Sequence, residues 1–349
     1  MSKKKKKIVL NTVFLLVCFC LTLYVVFDDQ DLSKIIGYVK AARSGYWAVS
    51  AGLVIVFILS ESVIIFYLMR SLGEKPRLDH CFLYSFVGFF FSLVTPSASG
   101  GQPAQVLFMK KDQLPVHLST LVLLIVTITY KLVLVILGLL VLLLKPEPEM
   151  TLLAPIMPWL WLGIALNVLC VGAMLALVFC PSLAKGLVMV VFRFVKGLAL
   201  PKGAAVSKRL DALEEKLDRS MEGYKKAALY FQGHKRVILN VLLMTFVQRG
   251  CLFFITYLVL VSFDVRHVGM VEAVTLQAMI SVAVDMLPLP GGMGISEHLF
   301  QAVFLPVCGA ALTAPVLIVS RGISFYTQLL ISAAFTVVAH LRIFRGGEE

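Results

Sequence analysis

Charge is what this sequence has least of. Asp, Glu, Lys and Arg make up 15% of its 349 residues, against about 25% in soluble globular domains. Together with 59% hydrophobic residues, that shortage excludes a water-soluble globular fold. Paired cysteines are missing too. The seven cysteines include no Cys-x-x-Cys and stand almost entirely inside apolar runs, so they read as small buried hydrophobes. None of the six histidines has a spacing suited to zinc, and no Gly-x-x-x-x-Gly-Lys-Ser/Thr loop occurs. No metal, no cofactor and no nucleotide-driven step is therefore expected. The formal charge of +12 sits in segments between apolar runs. It is read as a topology signal with some grip on anionic lipid, not as a nucleic-acid surface.

What is abundant is apolar sequence long enough to cross a bilayer, which takes ~20 residues. Residues 8–27 follow Lys3–Lys7 and end in Phe27-Asp28-Asp29. Lacking a small-residue cleavage site, they read as a retained first span and not as a signal peptide. A polar elbow (31–43) leads to a second span at 46–69. Further spans are expected at 116–144, 155–180, 236–263 and 311–341. Two shorter apolar stretches, 80–94 and 295–307, fall below a full crossing, and 268–287, which contains Asp285, leads into the second break. Residues 207–231 place Leu210, Leu213, Leu217, Met221, Tyr224, Ala228 and Phe231 on one helical stripe. That stripe predicts an amphipathic helix lying on the membrane face, on a neighbouring helix, or on a partner.

The short stretches flank two polar breaks. One reads Thr95-Pro-Ser-Ala-Ser-Gly-Gly-Gln-Pro-Ala-Gln105, the other Leu287-Pro-Leu-Pro-Gly-Gly-Met-Gly-Ile-Ser-Glu297. Non-helical backbone at membrane depth is tolerated only where protein buries it or where it lines a cavity. Each break is therefore expected to be the tip of a re-entrant hairpin. With both termini cytoplasmic, this division puts the basic loops on one side of the membrane. The expected fold is all-α: six full spans and two hairpins, as one transmembrane domain.

Spacing suggests that residues 1–149 and 150–349 are repeats. Tyr46 precedes Gly100 by 54 residues and Arg236 precedes Gly291 by 55. Lys131 follows Gly100 by 31 residues and Arg321 follows Gly291 by 30. Three crossings per half invert the second copy, so the hairpins enter from opposite faces and their tips meet near the midplane.

The helical arm after each glycine pair begins with free amides and a positive dipole end, a place for an anion such as phosphate. Candidate binding residues in the first break are Pro96, Ser97, Ser99, Gly100, Gly101, Gln102 and Gln105. In the second they are Pro290, Gly291, Gly292, Gly294, Ser296 and Glu297. Six ionisable groups lie in apolar sequence: Lys131, Arg249, Arg321, Glu61, Asp285 and Glu297. An unpaired charge at the bilayer centre costs at least ~2.5–3.5 kcal/mol. These six therefore face a cavity or one another, and Glu297 stands where a carboxylate caps its own helix.

Both breaks resemble the two signature segments of the flippase-like membrane domain of lysylphosphatidylglycerol synthases, the multiple peptide resistance factors. Pro-x-Pro-Gly-Gly-x-Gly-x-x-Glu is the more specific of the two; Ser296 stands where many relatives carry Arg. The resemblance implies a bacterial inner-membrane flippase. It would move an aminoacylated phosphatidylglycerol or similar lipid to the outer leaflet and so contribute to resistance to cationic antimicrobial peptides. Full-length members carry a soluble aminoacyl-transferase domain after the membrane part. Because Glu349 closely follows the last span, this chain is expected to be a transporter and not an enzyme. Expected partners are the phospholipid substrate, membrane lipids, a separate lipid aminoacyl-transferase and a second copy of the chain. Two rival readings are an intramembrane head-group transferase and a scaffold docked through residues 207–231.

Overall fold

The structure, a computed structural model, describes residues 32–198, 204–289 and 292–345. The first apolar run, its lysine cluster, and Pro290 and Gly291 lie outside the described residues. Every described element is helical. The α-helices are α1 (Leu32–Ala41), α2 (Gly45–Ser71), α3 (Leu78–Val94), α4 (Gly101–Lys111) and α5 (Val116–Leu144). They continue with α6 (Glu149–Leu153), α7 (Met157–Phe179), α8 (Pro181–Leu198), α9 (Ala204–Gly233) and α10 (Lys235–Ser262). The last are α11 (Met270–Val284), α12 (Ile295–Arg321) and α13 (Gln328–Ala339).

Among the described residues, five helical stretches are long and apolar enough to cross a membrane: Gly45–Ser71, Val116–Leu144, Glu149–Phe179, Lys235–Ser262 and Ile295–Ile343. The chain is a multi-pass membrane protein. The last stretch is not one rod. Gly309 leaves helical geometry at φ 72°, ψ 163°, which divides a first arm from the long final helix where the sequence separates residues 295–307 from 311–341. The carbonyl of Val307, two residues before that break, accepts from His267 Nε2 at 3.0 Å, so this acceptor is paired.

Among the described residues two large cores are stacked along the helix axes, beside a small third cluster of Met293 and Phe325. One takes Val54, Phe57 and Ile58 from α2, Leu134 and Val141 from α5, Leu160 and Ile164 from α7, and Phe253 to Leu260 from α10, with α11 and α12. The other takes the opposite ends of the same helices: Ile64 to Met69, Leu121 to Ile128, Val178 and Val241. Each of these four helices therefore runs from one core to the other, and successive ones run in opposite senses.

The two short helical pairs sit at opposite ends of this stack. In the first, Gly101 faces Gly88 and Ser92, and Gln105 faces Gly88, so α3 and α4 run antiparallel as a hairpin. A Cβ on Gly101 would stand 2.0 Å from Ser92 Oγ and 2.7 Å from Gly88 O; glycine is what lets the arms close. Apart from Phe86, the buried apolar residues of this hairpin belong to the second core. The pair formed by α11 and the first arm of α12 belongs to the first core. Between them, α2 and α10 form the most extensive helix contact in the protein.

The amphipathic stripe divides. Tyr224, Ala227, Ala228 and Phe231 of α9 are buried in the second core, whereas Leu213 is exposed. Of the three destinations open to that face, a neighbouring helix takes its C-terminal half. Tyr224 and Gln232 also donate to the carbonyls of Leu177 and Val178, acceptors that the end of α7 would otherwise leave unpaired.

Candidate functional site

A cavity of about 520 Å³ opens between the two hairpins. Helices α2, α3, α4, α5, α7, α10, α11 and α12 all contribute to its wall. Of the six ionisable groups found in apolar sequence, Glu61, Lys131, Arg249, Asp285 and Arg321 line it directly. The sixth, Glu297, is buried one residue beyond Ser296 and reaches the cavity through Arg321.

Two of the three basic groups are closed into tight pairs. Lys131 Nζ lies 2.7 Å from Asp285 Oδ2, and the Tyr130 hydroxyl donates to the other oxygen of that carboxylate. Both charged side chains are about nine-tenths buried. Arg321 Nε donates to Glu297 Oε1 at 2.6 Å. The second oxygen, Oε2, accepts from the Gly294 amide at 2.6 Å. Glu297 is thus both helix cap and counter-ion, and neither oxygen is left over for a ligand amine. Gly294 sits at φ +85°, backbone that side-chain-bearing residues rarely adopt. This lets its amide turn back onto Glu297.

Arg249 is different. Among the described residues it forms no salt bridge. Its guanidinium lies 3.5 Å from the centre of the Tyr130 ring and 5.1 Å from that of Phe57, and its buried Nε has no hydrogen-bond partner. Stacking on ring faces holds a cation without using its N–H groups. Opposite in sign and one helix away is Glu61, whose Oε1 accepts from Gln105 Nε2 at 2.8 Å. With the two pairs neutral, Arg249 and Glu61 are the charges left to a guest.

The first hairpin tip supplies neutral groups. Gln102 donates to Thr127 Oγ1 on α5. Ser99 lines the cavity and turns its hydroxyl back to Pro96 O. Pro96 and Ser97 form the short helical turn before the Gly100–Gly101 step. From the second tip, Gly292 and Ser296 line the wall, and Ser296 is buried. Of the candidate residues in the two breaks, Ser99, Gln102, Gln105, Gly292 and Ser296 line this chamber, whereas Pro96, Gly100, Gly101, Gly294 and Glu297 are not part of its wall; Pro290 and Gly291 lie outside the described residues.

Tyr130 is the principal residue that sequence reading passed over. It supports Arg249 with its ring and Asp285 with its hydroxyl. A phenol directly preceding Lys131 in an otherwise apolar span is the signal that marks it. Gln248, Thr256, Gln277 and Ser320 also line the wall, with Thr256 donating to Gln277 at 3.0 Å. Scattered polar residues on different spans gave no local pattern by which to group them. Among the described residues no cluster of three His, Cys, Asp or Glu side chains forms a metal-ligand set.

Comparison with known proteins agrees with this architecture. A family profile described as "Lysylphosphatidylglycerol synthase TM region" matches residues 8–332. The UPF0104 membrane protein PH1989 of Pyrococcus horikoshii is 28% identical over 267 residues, 70% of this chain and 72% of that protein.

Proposed function

Since the chain belongs to the lysylphosphatidylglycerol synthase transmembrane-region family, we propose that it is a lipid flippase that carries a modified phospholipid head group through the cavity between its hairpins. The observation that carries this reading is Arg249: a cation facing the cavity, held on two aromatic rings, with no salt bridge among the described residues and the Glu61 carboxylate as its opposite charge across the cavity wall. A phosphodiester satisfies both its charge and its unused donors, since the guanidinium fork matches phosphate oxygens.

In this reading the hairpins are re-entrant and the two halves are inverted repeats, their tips reaching the cavity from opposite leaflets. The stacked cores then correspond to the two leaflets, with both termini cytoplasmic in the inner membrane of a bacterium. Alternating access exposes Arg249 to one leaflet and then the other while the acyl chains stay in lipid. The protein acts as a transporter without cofactor or metal, and a separate aminoacyl-transferase supplies its lipid. An aminoacylated phosphatidylglycerol fits, its amine meeting Glu61; outward movement would lower surface negative charge and so resist cationic peptides.

The test is reconstitution in vesicles, with a membrane-impermeant amine reagent reporting lipid reaching the far leaflet. Arg249→Ala is expected to slow transfer about tenfold or more, the equivalent of one lost charge-assisted hydrogen bond, with an unchanged melting temperature. Equal rates for the variant and the wild type remove Arg249 from the site. Absence of transfer for every lipid tried removes the transport reading itself.

A further inference from the structure

Helix α8 carries a surface that the cavity does not explain. Leu183, Leu187, Val190 and Phe194 recur at intervals of four, three and four residues, which puts them on a single stripe. All four are open, at 49%, 55%, 67% and 70% exposure. The helix does not turn this face to its neighbour. On its other side Ala184 is buried and Lys185 Nζ pairs with Asp218 Oδ1 of α9 at 2.5 Å. The bonds from Tyr224 and Gln232 to the end of α7 hold α9 in turn, so the direction of the stripe is set by the fold.

We propose that α8 lies in the plane of the bilayer as a docking surface for anionic lipid, its stripe among the acyl chains and its flanking basic residues at the head groups. Three observations select lipid as the occupant. Chain continuity is the first: α8 begins two residues after Phe179, where the spanning helix α7 ends, so it starts at the membrane boundary. The second is charge. Residues 181–235 hold eleven Lys and Arg against five Asp and Glu, a surplus that attracts negatively charged head groups. The third is shape, because the helix is amphipathic: Leu183, Leu187, Val190 and Phe194 are exposed on an apolar face, and the polar positions Ser182, Lys185, Arg193 and Lys196 fall together on another sector of the helix, the pattern of a helix embedded at an interface. Arg193 and Lys196 share this helix with the stripe but not its register.

A photo-crosslinking residue placed singly at 187, 190 or 194 of the full chain tests this. The protein is reconstituted in vesicles of equal parts phosphatidylcholine and phosphatidylglycerol, irradiated, and its adducts are identified by mass spectrometry. Lipid adducts are expected at all three positions, with phosphatidylglycerol over-represented at least about twofold. Val188, half-buried on the α9 side, is expected to give intramolecular adducts instead. Adducts to a second copy of the chain at 187 or 194, or no lipid adducts there, overturn the proposal; lipid adducts without head-group preference overturn its anionic part. Because the readout is covalent capture, it stands or falls apart from any measured flipping.

Discussion

The two hairpins do the same topological job with opposite chemistry. The first is fastened through its own neutral side chains, Gln102 to Thr127 and Gln105 to the Glu61 carboxylate, and a glycine seam that lets α3 and α4 touch. The second is fastened by charge. Asp285 at the end of α11 is gripped by Lys131 and Tyr130 of α5, and Glu297 at the start of α12 by Arg321 and its own helix amide. The difference teaches where a guest can act. A neutral tip exchanges one hydrogen-bond partner for another at small cost, whereas parting a buried ion pair exposes two charges to an apolar surrounding. In the proposed cycle, then, the first tip is the one that adapts to the lipid and the second is the anchored one.

That comparison can be broken most forcefully at Asp285. Asp285→Ala strands the Lys131 ammonium and is expected to cost about 3–5 kcal/mol, read as a large fall in thermal midpoint in detergent. Adding Lys131→Met should recover most of the loss. A single variant that melts like the wild type would show that charge does not hold the second hairpin. A smaller effect is expected at the glycine seam. Gly101→Ala puts a Cβ 2.0 Å from Ser92 Oγ, and forcing the arms apart should cost about 1–3 kcal/mol. Pairing it with Ser92→Gly should relieve part of that loss, and no relief would mean that the arms are not limited by this contact. Smallest of all is Gln102→Ala, which removes one neutral hydrogen bond worth roughly 0.5–1.5 kcal/mol. If its effect on the midpoint matches that of Asp285→Ala, the distinction between the hairpins fails.

Glu297 shows how packing assigns the partners of a residue whose position is legible in the chain. Its position in the first turn of a helix after paired glycines is visible in the chain, and so is the capping alternative. That both of its oxygens are taken, one by the Gly294 amide and one by Arg321, follows only from how α12 bends at Gly309 and brings position 321 back beside position 297. Arg249 makes the converse point. In sequence it is one basic residue among three, and nothing local separates it from Lys131 or Arg321. It becomes distinct because the carboxylates that reach the cavity are engaged by other residues and Tyr130 offers a ring in place of a counter-ion.

The linear chain was enough to establish that this is a polytopic helical membrane protein with two glycine-hinged interruptions, because lipid imposes rules that are local. A spanning helix must be apolar over a fixed length and must satisfy its own backbone, and each departure from that pattern is conspicuous. Partnership was beyond its reach. Lys131 meets Asp285 across 154 residues and Gln105 meets Glu61 across 44, and such encounters depend on helix order, tilt and rotation. The tertiary packing alone decided which charges are spent on one another and that Arg249 and Glu61 are left facing the cavity.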